Sequence, residues 1–406
     1  MALTGMADGP PRLAAVGVAT AADTLTARLT TACAKWGTAP SIDGPSLLGE
    51  RAAIAGLVRN GSTSVGGSAR FFEASDGWIA LNLARPEDVA SLPALVSADV
   101  ASDDWTSLRR LIGAMSCDRL REQAVWLGLA VAQPNEHQPV DDPSVQTCVG
   151  GPRTVVRRPL VVDMSSLWGG PLSSNLLEAA GARVIKVEGC GRPDGSRRGP
   201  RPFFDLLNAR KEMLETDFGD PVSVALLRSV LAHADLVIEG SRPRAMTALG
   251  IRPEEFVAAG TSWLSITGHG RAGVAGDRIG FGDDAAVAGG LVINDHVPVF
   301  VADAVADPLT GLAAAAVGAE LLGSPQAAMV DVALARVSAW VCGRSTGPLN
   351  ASVVSHGDDY QVALGDQRVD VAAPTARPVR GTAAPVGAHS RELAEEFDPA
   401  SRGPYG

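Results

Sequence analysis

The apolar and polar positions along the chain fall into two kinds of pattern. In the first 150 residues the clearest signal is strand-like. Residues 70–83, RFFEASDGWIALNL, carry two apolar runs joined by Asp76-Gly77, a dipeptide that tolerates the positive φ of a tight hairpin. Helical spacing follows: residues 105–115 and 119–127 repeat apolar side chains every three or four positions, and Gly128 stands where the second helix would stop. From residue 133 to 158 the chain turns polar and proline-bearing, which predicts a linker or surface crossing with a domain boundary at 150/151.

Beyond residue 159 apolar strands alternate with helices. Residues 160–164 predict a first strand, Gly169-Gly170-Pro171 a turn, 172–180 a helix, and 182–188 (ARVIKVE) a second strand. A helix over 221–232 and strands over 235–239 and 263–267 repeat the theme, the last ending at Gly268-His269-Gly270. The expected fold is α/β: a Rossmann-like open parallel sheet with crossover helices in a large domain, residues 151–406, preceded by a smaller α+β domain, residues 1–150. Residues 312–322 form an alanine-rich apolar run broken by Glu320, well short of the roughly 20 residues a bilayer requires. A buried helix and no membrane partner follow.

Composition narrows the function. With 46% apolar and 20% charged residues and a mean hydropathy of +0.12, the 406-residue chain has the balance of a globular protein. Its formal net charge of −10 excludes a broad positive field, so no nucleic-acid partner is expected and any anionic ligand must find a local basic patch. Five cysteines without a C-x-x-C pair, and histidines without ligand spacing, predict no metal and reduced thiols. No basic-then-apolar leader opens the chain, and a cytoplasmic protein is expected. Gly169-Gly170-Pro171 lacks the glycine fingerprint of a dinucleotide site, and no Gly-Lys-Ser/Thr phosphate loop occurs, which argues against nicotinamide and against nucleotide hydrolysis.

Three stretches carry candidate chemistry. Residues 192–211 hold six cations against two acids, either an anion patch near the carboxyl ends of the strands or a solvated arginine loop. In Ala306-Asp307-Pro308-Leu309-Thr310-Gly311-Leu312, Asp307 reads as an N-cap with proline at N1. A carboxylate there would also sit in positive potential, with a lowered pKa, ionised and available as a nucleophile, and Gly311 one turn on would leave room for substrate. His269, flanked by glycines, is a candidate general base or an incidental loop histidine.

Taken in order, several segments resemble the class III coenzyme A transferase (CaiB/BaiF) family: VVDMSSLWGGP at 161–171, GARVIKVEG at 181–189, FDLLNARKE at 204–212, ADLVIEGSRPRAMTALGI at 234–251, SWLSITGHG at 262–270, and ADPLTGL at 306–312. The resemblance implies an enzyme that moves coenzyme A from an acyl-CoA donor to a carboxylic acid acceptor, with Asp307 as the catalytic carboxylate forming an aspartyl anhydride and then an aspartyl-CoA thioester. It further implies basic ligand contacts at Arg197, Lys211, Arg242 and Arg278, an adenine and pantetheine path along Leu167, Trp168, Gly240 and Ser241, and a homodimer of the family's interlocked kind.

Two departures from the family pattern bear on these expectations. Phe281 stands where the racemase branch carries its histidine, which disfavours a 2-methylacyl-CoA racemase; an isomerase would need another base, His269 or Asp283. A catalytically silent CoA-binding subunit is the remaining alternative. Residues 64–83, SVGGSARFFEASDGWIALNL, resemble the family's smaller domain but precede the large-domain motifs, so the domain order reads as permuted. Gly66 and Gly67 would then supply the glycine loop over the active site, or a plain turn. Residues 377–396 resemble the family's closing segment.

Overall fold

The structure, a computed structural model, describes residues 1–14, 17–101, 103–344, 351–357 and 359–397. Alternating patterns in the N-terminal part become a small antiparallel sheet of β1 (Ala69–Ala74), β2 (Gly77–Asn82) and β3 (Ala130–Ala132). The hairpin turns at Asp76-Gly77, with Ala74 paired to Gly77. Helices Trp105–Gly113 and Cys117–Leu127 close a local core around Phe72, Ile79, Leu81, Leu108 and Leu120. The second helix ends at Gly128 in the left-handed conformation, as its sequence predicts.

The remaining strands are β4 (Val145–Pro152), β5 (Leu160–Met164), β6 (Arg183–Gly189), β7 (Glu212–Thr216), β8 (Leu236–Glu239), β9 (Ser262–Thr267), the short pair β10 (Val292–Ile293) and β11 (Val299–Phe300), β12 (Gln326–Ala333), and an antiparallel sheet of β13 (Ala351–His356), β14 (Asp359–Leu364) and β15 (Gln367–Asp370). The main sheet runs β4-β12-β9-β8-β5-β6-β7, with every neighbouring pair parallel except β12 and β4. Without β4 this is the doubly wound order, whose switch point lies between β5 and β8. Ligands of such sheets bind at the carboxyl ends of those strands.

Three sequence expectations need adjustment. The polar stretch expected to be a linker contains β4, an edge strand whose side chains are mostly outside the core, so it lacks the apolar alternation of a half-buried strand. Because β4 crosses position 150 and pairs with β12, the expected boundary falls inside a strand of the large sheet. The turn at Gly169-Gly170-Pro171 is instead the first turn of helix Gly169–Ala179. β7 was not expected, since only Met213, Leu214 and Thr216 of its five residues are buried.

One face of the sheet packs on helix Ala306–Leu322, which is buried on all sides except at Asp307 and Glu320. Helices Gly169–Ala179 and Val18–Cys33 lie against it. Trp36 donates its indole N–H to Ala319 O at 3.0 Å, and Arg28 forms a two-point ion pair with Glu320, tying the N-terminal helix to this layer. The opposite face is covered by helices Pro221–His233, Pro253–Ala258 and Ser390–Phe397. No helix among the described residues is long and apolar enough to cross a membrane.

Candidate active site

Asp307 lies in the first turn of helix Ala306–Leu322, two residues past the N-cap; Val305 holds the cap position and Asp307 N–H donates to Ala304 O at 2.9 Å. Its carboxyl sits between two helix starts. On one side is Gly169, where a Cβ would lie 3.1 Å from the Asp307 carbonyl oxygen and 3.7 Å from Oδ1. On the other is Gly282, opening helix Gly282–Ala288, where a Cβ would fall 2.5 Å from Oδ2 and 2.4 Å from Ala304 O. Glycine at 282 is thus a steric requirement for the Asp307 carboxyl to occupy its place. The Gly282 backbone N–H hydrogen-bonds that carboxyl, and the residue as a whole is half-buried.

Gly311 does not open space for substrate. A Cβ there would meet Leu172 Cδ2 at 2.8 Å and Gly169 O at 2.9 Å, so Gly311 lets helix Gly169–Ala179 approach closely and thereby sets the distance from Gly169 to Asp307.

Around Asp307 the chain gathers more carboxylates than cations. Asp283 is buried, accepting from Ala304 N–H at 3.0 Å and from Ser64. Asp303 is fully buried and ion-paired with Arg51, whose Nε donates to Oδ2 at 2.9 Å. Asp284 accepts from Asn82 Nδ2 at 2.9 Å and from Phe281 N–H at 3.0 Å. Arg51 is itself fixed from two sides: its guanidinium lies 5.3 Å over the Trp168 ring, and its neighbour Glu50 is fully buried against Arg377 of the C-terminal segment at 2.6 Å.

Electrostatics here reverses the expectation from helix geometry. Burial pushes the Asp307 carboxyl up to about 7; Arg51 pulls it down, while Asp283 and Asp303 push it further up. Burial likewise raises Asp283 to about 6 and Asp284 to about 7. Desolvation and like charge together outweigh two helix termini and one arginine.

The Ser64–Gly67 turn packs directly on this cluster. Ser64 is buried and accepts from Ala69 N–H at 3.1 Å. A Cβ at Gly66 would lie 2.9 Å from Arg51 Nη2, and Gly67 has φ +81° with open space beside it.

The other expected binding residues divide into two groups. Leu167, Gly240, Ser241 and Arg242 stand at the carboxyl ends of β5 and β8, at the switch point. Leu167 is 39% exposed, with φ +70° and its N–H on Asp194 Oδ1 at 3.0 Å. Gly240 is exposed, and Ser241 Oγ donates to Glu239 Oε1 at 2.5 Å. No carboxylate among the described residues is within ion-pairing distance of Arg242; burial, Arg244 and Arg85 lower its pKa.

The second group is held inside the protein. Lys211 donates to Asp163 Oδ2 at 2.9 Å, Ser174 Oγ at 2.7 Å, Asn208 Oδ1 at 2.9 Å and Pro171 O at 3.0 Å, beneath the sheet end rather than in the crevice. Arg197 forms a two-point pair with Glu188 and stacks 4.3 Å over Phe204. Arg278 is paired with Glu136 at 2.9 Å, and Trp168 is 2% exposed with Phe203 edge-on at 5.3 Å. Much of the expected basic patch is similarly paired, Arg201 with Asp205 and Arg210 with Glu178. His269 is buried beside His137, and burial holds its pKa well below the usual imidazole value. Two cavities, about 570 Å³ beside Phe71, Phe72, Trp78 and Arg109 and about 380 Å³ beside Arg28 and Glu320, do not include Asp307 in their walls.

Arg51, Asp303 and Asn82 were not anticipated. Their signal is spatial: Arg51 and Asp303 are separated by 252 positions.

Comparison with known proteins agrees with the motif reading. The family profile described as CoA-transferase family III matches residues 159–372. The chain is 29% identical over 168 residues to a succinyl-CoA–D-citramalate CoA-transferase of Chloroflexus aurantiacus, covering 38% of this chain and 42% of the relative. It is also 29% identical over 168 residues to a succinyl-CoA:glutarate CoA-transferase of Homo sapiens, covering 37% and 38%. The chain thus spans about two fifths of the length of these curated relatives. A crystal structure of a CaiB/BaiF family protein from Brucella suis aligns with TM-score 0.45 and 24% identity, over 50% of this chain and 64% of that one. Because the profile covers more than half of the sequence, the protein belongs to CoA-transferase family III.

Proposed function

We propose that this protein transfers coenzyme A from an acyl-CoA to a carboxylic acid, with Asp307 as the covalent carrier. The Asp307 carboxylate attacks the thioester carbonyl; the C–S bond breaks, and CoA thiolate leaves behind a mixed anhydride. The thiolate then attacks the aspartyl carbonyl, releasing the first acid and forming an aspartyl-CoA thioester. An acceptor carboxylate displaces the thiolate to give a second anhydride, and thiolate attack on the acceptor's carbonyl yields the new acyl-CoA and restores Asp307. Thioester energy is conserved throughout, and no nucleotide is consumed.

The observation that carries this reading is Asp307 itself: a carboxyl held between the glycine-opened starts of two helices, inside the segment matched by the family profile. Its raised pKa, about 7, suits a nucleophile that must also leave as an acyl carrier near neutral pH. Leu167, Gly240, Ser241 and Arg242 supply the crevice for the CoA chain, with Arg242 offering its charge to a phosphate. The Ser64–Gly67 turn and Arg51, both outside the matched segment, act as the cover over the carboxyl, a small-domain role supplied from the N-terminal side. Entry of a thioester then requires that turn to move.

Incubation with acyl-CoA followed by hydroxylamine or borohydride trapping tests the reading. A modification mapped to the Asp307 peptide by mass spectrometry is expected. Full turnover by Asp307→Ala, with no adduct in the wild type, would remove the covalent mechanism; deuterium exchange at the acyl α-carbon without transfer would replace it with isomerisation.

A further inference from the structure

The turn after β9 and the loop after β3 bring together three groups, two of them adjacent in sequence and the third 132 positions from His137. Glu136, His137 and His269 each present one ligand-type atom, and these atoms lie within 4.8 Å of one another. The site is enclosed: His269 is 5% exposed and the Glu136 side chain 7%. His137 Nε2 and His269 Nδ1 are 3.4 Å apart, with the rings stacked at 5.6 Å. That separation is long for a hydrogen bond, which favours about 2.7–3.2 Å. It matches the edge of a tetrahedron whose centre lies about 2.0–2.1 Å from each nitrogen, the zinc–imidazole distance.

A further feature agrees with an ion between the rings. Glu136 retains acceptor capacity, since Oε1 takes only the Gln133 N–H at 2.7 Å and Oε2 faces Arg278 at 2.9 Å. Arg278 is the nearest competing positive charge and is engaged by Glu136 and by Val131 O at 3.0 Å. A divalent ion would share that carboxylate rather than confront an unpaired guanidinium.

We infer that Glu136, His137 and His269 form a binding site for a borderline divalent cation, zinc or cobalt, with a fourth position for water. Two imidazoles and one carboxylate are the donor set such ions take. The ion would bridge the 133–137 loop to the β9 turn. His137 N–H donates to Ala288 O at 2.9 Å and Asn135 N–H to Val287 O at 3.2 Å, so the loop is already bonded to helix Gly282–Ala288. On the other side a Cβ at Gly280 would lie 3.3 Å from His269 Nε2. The bound ion would therefore fix both ends of the segment that presents Gly282 to Asp307, a structural clip rather than a participant in acyl transfer.

The full chain, stripped with a chelator and dialysed, is titrated with zinc by calorimetry and with cobalt by visible absorption. One equivalent is expected, with the intense d–d bands of tetrahedral cobalt and a rise in melting temperature. His137→Ala and His269→Ala should each weaken binding by at least about a hundredfold, because partners one shell further out already cost about 10–100-fold. Glu136→Gln should weaken it less, and exposed His296→Ala should leave it unchanged. Failure of the wild-type chain to take up zinc at micromolar concentration, or equal uptake by the two histidine variants, would overturn the site. The first result would leave a proton-sharing imidazole pair, and the second would place the ion elsewhere.

Discussion

Two buried charge clusters flank helix Gly169–Ala179, and they are balanced differently. In the first, Asp163 and Asp194 meet Lys211 and Lys186: Lys211 pairs with Asp163 at 2.9 Å and Lys186 with Asp194 at 2.9 Å, all four side chains being 0–1% exposed. Ser165 and Ser174 complete the donors to Asp163. Although burial works against both carboxylates, the lysines hold each below its ordinary range. In the second, Asp283, Asp303 and Asp307 have one cation among the described residues, Arg51, which Asp303 already engages. There burial wins and the carboxyls rise to about 6 at Asp283 and about 7 at Asp307. Equal numbers of opposite charges make a fixed strut; a shortage of cations leaves a carboxyl poised to change state near neutral pH.

This contrast predicts different consequences when each cluster is disturbed. The largest kinetic effect belongs to the crowded side of Asp307. Gly282→Ala puts a Cβ 2.5 Å from Oδ2, and displacement of the carboxyl should lower kcat/KM by about a hundredfold or more with the fold retained by circular dichroism. Near-normal turnover would show that the carboxyl does not work from this position.

Lys211→Met should instead act on stability. It leaves Asp163 buried with one cation fewer and should cost about 3–5 kcal/mol in urea unfolding. A loss below about 1 kcal/mol would mean that the first cluster is not a balanced strut.

The pH profile sharpens the comparison further. On the proposed mechanism the reactive form of Asp307 is the carboxylate, so kcat/KM should rise with pH through about 7 and level off above it. Arg51 lowers the Asp307 pKa, so Arg51→Met should move that rise to higher pH, by about one unit. A rise centred near 4, or an Arg51→Met profile displaced to lower pH, would contradict the assigned balance of charges.

The smallest effect separates crevice from interior. Arg242→Met should raise KM for acyl-CoA about tenfold, the loss of one charged hydrogen bond, without changing melting temperature. Arg197→Met should do the reverse, because its charge is spent on Glu188. Indistinguishable KM values for the two variants would return the phosphate contact to the paired arginines.

What the sequence disclosed follows from locality. The hairpin at Asp76-Gly77, the βα repeat from Leu160 and the apolar helix after Asp307 are each written in a few neighbouring residues, and all three stand in the structure. β4 was hidden because an edge strand needs no apolar alternation, and its polar side chains read as loop. The candidate Asp307 stood out from its short motif, yet the pKa of its carboxyl did not. A helix start argues for a low pKa, whereas Asp283 and Asp303, which reverse the sign, lie 24 and 4 positions away and converge only in the fold. Lys211 and Arg197 were misplaced for the complementary reason. A cation in sequence carries no mark of whether a buried carboxylate already holds it, as Asp163 and Glu188 do.

The account turns on one carboxyl oxygen being exchanged with the acceptor acid. Turnover with acceptor labelled in its carboxylate with ¹⁸O, followed by digestion and mass spectrometry, follows that oxygen directly. Each cycle should leave one acceptor oxygen on Asp307, so the heavy isotope accumulates in the peptide containing Ala306–Leu322 and nowhere else in the chain. Continued product formation with that peptide unlabelled would contradict the central claim.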